Sequence, residues 1–207
     1  MRRISAIVAT VAAALAVVAP AAHAQAQGGG ANNVVLVSTT ADGSSAARAN
    51  LQTALFAGDT LMSSNIANAQ AHDCTGCRSV AVAVQAVFNS GGASMFAPTN
   101  AALVQNTNCQ SCESFAFAYQ YVLTTPGPVR LSPAGQQEIA TLRQEMADAA
   151  ASGLPFDDLD ARLDQLAAEF KTDVDSELQA AGQPALGTAR TQVTKASGPA
   201  ALANASP

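Results

Sequence analysis

Four cysteines, Cys74, Cys77, Cys109 and Cys112, are the residues of this 207-residue chain best able to do chemistry, and they form two CxxC pairs 35 residues apart. Three chemistries suit that pattern. The first is a pair of structural disulfides, favoured in an oxidising compartment by an even cysteine count. Bonding within each CxxC closes four residues, worth about 2 kcal/mol by loop entropy, whereas a bridge between the pairs closes 36 and would contribute nearly 4 kcal/mol. Proximity favours the local pairing, which would pin a tight turn. The second is a zinc site with Cys74, Cys77, Cys109 and Cys112 as thiolate ligands, a spacing that zinc knuckles use. The third is thiol–disulfide exchange, but a redox CxxC draws its reactivity from a helix N-terminus, and these pairs precede strand patterns.

Other chemistry is hard to build. His72 stands two residues before Cys74, but Thr107 occupies the matching place before the second pair. There is no GxSxG, HExxH, P-loop or GxGxxG in the sequence. Asp157, Asp158 and Asp160 cluster where a helix is expected to begin, and there they complement the helix dipole. No residue is assigned a catalytic role, and a non-enzymatic protein is expected.

The elements that must carry the cysteines follow from an internal duplication. Asn65–Val87 aligns without a gap on Asn100–Val122, with both CxxC pairs in register. After each pair the identities fall on alternate residues: Ser79, Ala81, Ala83, Gln85 and Val87 match Ser114, Ala116, Ala118, Gln120 and Val122. A period of two is the mark of a strand. The intervening face changes from Val80, Val82 and Val84 to Phe115, Phe117, Tyr119 and Tyr121, residue types that also favour strands. Each repeat therefore reads as strand, CxxC turn, strand. The fixed small face predicts close stacking, with a Gln85–Gln120 side-chain ladder, and the larger face needs a cover. Residues 33–40 predict another strand; residues 48–56 fit a helix or a strand and are read as a strand turning at Ala57-Gly58-Asp59.

Beyond residue 130 the pattern changes. Ser132-Pro133 is a helix start, followed by Ile139, Leu142 and Met146 at helical spacing. Leu159, Leu163, Leu166, Phe170, Val174 and Leu178 make a second apolar stripe, with Asp157 or Asp158 as its expected cap. The fold class expected is α+β: stacked β-hairpin repeats, as a small sheet or short β-solenoid, followed by a two-helix antiparallel hairpin. The divisions are a signal peptide (1–24), a flexible lead-in (25–32), a β-rich region (33–130) with repeats at 65–87 and 100–122, the helical hairpin (131–182), and a disordered tail (183–207).

The start of the chain predicts export. Met1-Arg2-Arg3 is followed by an apolar run to Ala19, then Pro20 and the small-x-small Ala22-His23-Ala24. The run is too short for a membrane span, so the expected product is secreted or loosely wall-associated, with no span in the mature chain. The whole chain has 10 Lys+Arg and 15 Asp+Glu. Losing Arg2 and Arg3 leaves 8 against 15, a net of −7. Such a balance offers no footprint for nucleic acid and no basic face for an anionic membrane. The expected partner is another protein or the cell envelope, with self-association through the β-repeats.

The segment Asp73–Gln85, its partner Asn108–Val122 and the following Pro128-Val-Arg-Leu-Ser-Pro133 resemble an uncharacterised family of secreted actinobacterial proteins. A similar double-CxxC segment stands beside predicted membrane zinc metallopeptidases. The resemblance covers roughly residues 65–182 and brings no catalytic residues. A looser similarity is to curli-type stacked repeats, through Ser79-x5-Gln85, Ser114-x5-Gln120, Asn65-x-Ala67 and Asn100-x-Ala102. Here the period is longer and CxxC holds the turn.

Overall fold

The computed structural model describes residues 31–93, 95–187 and 189–198, and the expected signal peptide lies outside them. The chain forms strands β1 (Asn32–Thr39), β2 (Ser45–Phe56), β3 (Thr60–His72), β4 (Arg78–Asn89), β5 (Met95–Thr107) and β6 (Glu113–Thr124). Helices α1 (Pro133–Ala151) and α2 (Phe156–Ala180) follow, and then strand β7 (Arg190–Gly198). The fold class is as expected: α+β, with stacked repeats and a helical hairpin.

Two sheets carry the strands, one ordered β1-β3-β5 and the other β2-β4-β6-β7. The two arms of a repeat do not bond to each other as in a hairpin. Each arm pairs in parallel with the same arm of the next repeat, so that Asn65 lies beside Asn100 and Ala81 beside Ala116. The repeats are thus β-arches stacked as a short solenoid of three coils. The first coil, β1–β2, pairs with the second at offsets of 32 and 33 residues rather than 35.

The alternation in the sequence decides which side chains enter the space between the sheets. Ala81, Ala83, Ala116 and Ala118 from one sheet meet Val35, Val37, Ala67, Ala69 and Ala102 from the other. Small residues let the sheets approach closely. The larger face of β4 and β6 is covered by the helices, as the sequence required. Val80, Val82, Val84, Phe115, Phe117, Tyr119 and Tyr121 pack with Leu142, Met146, Leu159, Leu163, Leu166 and Phe170. Strands β4 and β6 are accordingly buried on both faces, the near-continuous burial expected of covered parallel sheets.

Ser132 caps α1, its hydroxyl accepting from the Gly135 N–H at 3.0 Å, with Pro133 at the first helical position. The second cap differs from expectation. Residue Pro155 occupies the N-cap of α2 without a side-chain bond, and Asp157 and Asp158 lie inside its first turn. There they meet the positive end of the helix dipole without capping an N–H. Helix α2 ends at Gly182, whose φ of 66° lets the Gln183 N–H reach back to the Leu178 carbonyl at 2.9 Å.

Two boundaries are corrected. The lead-in expected over 25–32 ends inside β1, since Asn32 already pairs with Ser64. The tail expected to be disordered from residue 183 contains β7, which pairs antiparallel with β6 from Val122↔Arg190 to Ser114↔Gly198. Its ordering comes from backbone bonding to the exposed edge of β6, with help from Lys195, whose ammonium bonds Asp160 at 2.9 Å and Asp164 at 2.6 Å on α2.

Candidate functional site: a laddered core, a cysteine stack and an uncovered sheet face

Stacking places like residues over like, and three polar ladders result. Asn33, Asn65 and Asn100 form the first. Asn33 donates to Asn65 Oδ1 at 2.9 Å, and Asn65 donates to Asn100 Oδ1 at 2.7 Å. Each Asn Nδ2 also reaches a carbonyl of the facing sheet: Val84 from Asn33, Ala83 and Tyr119 from Asn65, Ala118 from Asn100. The ladder therefore staples one sheet to the other. In the second, Ser79 and Ser114 hydroxyls lie 2.7 Å apart. In the third, Gln120 donates to Gln85 Oε1 at 3.0 Å and to Ser63 Oγ at 2.8 Å. The anticipated Gln85–Gln120 pair is present.

The chain's own contacts meet the stack at each end, while β1 and β5 remain the edge strands of their sheet. At the first coil, Asn50 donates to Asn33 Oδ1 at 2.7 Å, and Arg143 of α1 donates to the Leu51 carbonyl on the β2 edge at 3.0 Å. At the last coil, Asn100 Nδ2 bonds the Gln192 carbonyl of β7 at 3.0 Å. The free edge of β5 carries Pro98, which lacks an N–H to offer a neighbour.

The CxxC turns stack in the same way. Cys74 is bonded to Cys77, and Cys109 to Cys112. Both turns share a backbone path that needs left-handed residues: Asp73 and Asn108 have φ of 50° and 52°, Gly76 and Ser111 have φ of 66° and 53°. Asp and Asn tolerate that region best among side-chain-bearing residues. They also bond each other, Asn108 Nδ2 donating to Asp73 Oδ1 at 2.9 Å. The Cys74, Cys109 and Cys112 sulfurs lie within 4.8 Å of one another. In this oxidised pairing no thiolate is left to ligate a metal. His72 is not part of the cluster; its Nε2 lies 3.1 Å from Gln70 Oε1. Asp160, from the acidic group at the start of α2, is paired with Lys195.

A feature that sequence reasoning missed is the outer face of the sheet β1-β3-β5. The helices cover only the other sheet. Val34, Leu36, Met62, Met95 and Leu103 point outward and are each more than half exposed. Their neighbours on that face are Asn, Ser, Thr, Gln, Ala, Ile66 and His72, and no Asp, Glu, Lys or Arg stands at an outward position of these three strands. The signal was present: Val34 and Leu36, Met62 and Ile66, and Leu103 alternate with residues now seen to face inward.

No helix among the described residues is long and apolar enough to cross a membrane. No protein-family model, curated protein or solved structure matches the chain.

Proposed function

We propose that the chain is an exported, non-enzymatic structural and adhesive module of the cell envelope, which associates with copies of itself through the outer face of the sheet β1-β3-β5. The observation that carries this reading is the exposure of Val34, Leu36, Met62, Met95 and Leu103 on a face with no charged position. Exposed apolar side chains gathered on one uncharged face mark interaction sites; here they form two groups, Val34, Leu36 and Leu103 around Ile66, and Met62 with Met95, parted by the polar row Asn32-Ser64-Thr99. The acidic excess lies on the helical hairpin, where residues 131–182 hold 11 Asp+Glu against 3 Lys+Arg, so copies repel through that side and not through the uncharged sheet face. A pairing of like faces also needs no charge complementarity.

Strands of 8, 13 and 13 residues give a face of about 540 Å² per copy, taking about 3.3 Å per residue and about 4.8 Å between strands. That places a face-to-face pair at the small end of specific interfaces. Weak, concentration-dependent association suits a protein displayed densely at a surface. At the edges of β2, β6 and β5, pairing with another chain is disfavoured by Arg143, β7 and Pro98. Export follows from the basic and apolar leader, and it fits both the cysteine pairing and the resemblance to secreted actinobacterial proteins.

Sedimentation velocity on the mature chain, residues 25–207, tests the reading. The wild type should show reversible dimers as concentration rises. Leu36→Glu with Leu103→Glu should remain monomeric with an unchanged circular-dichroism spectrum. A wild type that stays monomeric at millimolar concentration would remove the adhesive face from the proposal.

A further inference from the structure

The two disulfides are not independent of each other. Cys74 Sγ lies 3.7 Å from Cys109 Sγ and 3.8 Å from Cys112 Sγ, although 35 and 38 residues separate them in the chain. These are contact distances for sulfur, set by the stacking of one turn on the next. Access to solvent is unequal. Cys74, Cys77 and Cys112 are 4%, 1% and 3% exposed, while Cys109 is partly open. A thiol in solution therefore meets Cys109 first.

We propose that the stacked turns form one thiol–disulfide exchange unit, in which Cys109–Cys112 accepts reducing equivalents from a small external thiol and passes them to the buried Cys74–Cys77 pair. This goes beyond the structural reading, in which the disulfides only pin turns. Exchange proceeds by thiolate attack on a disulfide sulfur, and each step has a partner in reach. The external thiolate attacks Cys109 Sγ, forming a mixed disulfide and releasing the Cys112 thiolate. Cys112 attacks Cys74 Sγ, forming a Cys74–Cys112 bond and releasing the Cys77 thiolate, which takes up a proton. A second external thiolate attacks the external sulfur of the mixed disulfide, releasing the Cys109 thiolate and an oxidised thiol dimer. Cys109 then attacks Cys112, restoring the outer disulfide and releasing Cys74, which is protonated in turn. In sum, two thiols become one external disulfide, and Cys74–Cys77 becomes a dithiol.

The test is a time course in reduced glutathione, with acid quenching, alkylation and mass mapping of each cysteine peptide. In the wild type, Cys74 and Cys77 should become labelled. In the Cys109→Ser, Cys112→Ser variant, labelling of the inner pair should slow at least tenfold, the route through Cys109 being gone. Equal or faster inner labelling in that variant overturns the relay. A second variant guards against a loss of folding in the first. Cys77→Ser with Cys109→Ser leaves only Cys74 and Cys112, and air oxidation of the folded protein should join them across the repeats. Two free thiols in that protein would equally overturn the proposal.

Discussion

Asn65 donates its side-chain amide to Asn100 Oδ1 at 2.7 Å while the same nitrogen lies 3.0 Å from the Ala83 and Tyr119 carbonyls of the facing sheet. Asn65 is fully buried, and it stands at the middle rung of a ladder that runs from Asn50 to β7. Removing a partner from such a network strands buried donors and acceptors, which costs more than the bond itself contributes. Asn65→Ala should therefore destabilise the fold by about 2–3 kcal/mol, and Asn100→Ala by less, since Asn100 is only partly buried. Urea unfolding checks both, and similar small losses at the two positions would show that the ladder is not a load on stability.

Strand β7 satisfies the edge of β6 and closes the Asn ladder through the Gln192 carbonyl. A chain ending at residue 187 should expose the β6 backbone, an edge prone to pairing with other chains. Light scattering and thioflavin fluorescence should rise for that truncated chain and stay flat for the full one. A truncated chain that remains monomeric and equally stable would mean β7 is not a cap.

Stability should fall steeply in alkali. Burial pushes the Tyr119 hydroxyl up to about 12, and burial together with its bond to Asp175 raises Tyr121. Lys195 is also raised, its bonds to Asp164 and Asp160 outweighing the opposing effect of burial. For all three groups the folded chain holds its proton more tightly than the unfolded chain. The stability they contribute is complete below about pH 10 and is lost as pH climbs between the unfolded and folded values. Melting temperature followed from pH 8 to 12 should drop mainly above pH 10, and Tyr119→Phe should flatten that drop. An unchanged slope in the variant would assign the alkaline loss to other groups.

Much of this fold was legible because local chemistry and global position agree. The alternation from Ser79 to Val87 survives as a strand face since β4 is sandwiched, and small residues face the other sheet. The stripe from Leu159 to Leu178 became the buried side of α2 for the same reason. The first coil was legible only as separate strands. The first coil is three residues shorter than the second, one at its arch and two in the link to β3, so an ungapped comparison at a period of 35 misses Asn33 as the rung above Asn65. Strand β7 left little trace because its partner is remote in sequence. Only Gln192, Thr194, Ala196 and Gly198 are part-buried, and backbone bonding to β6 rather than apolar burial orders it. The uncovered sheet face depends on where the helices lie, which no local pattern in β1, β3 or β5 states.

The polar ladders, the cysteine stack and the open sheet face all depend on the repeats stacking arm upon arm. Nuclear Overhauser contacts in the isotope-labelled mature protein report this directly. Backbone contacts should link residues 35 apart, Ala67 with Ala102 and Val82 with Phe117, as in parallel strands. Backbone contacts running antiparallel between residues 60–72 and 78–89 of one repeat, with none between the repeats, would contradict the stacked solenoid.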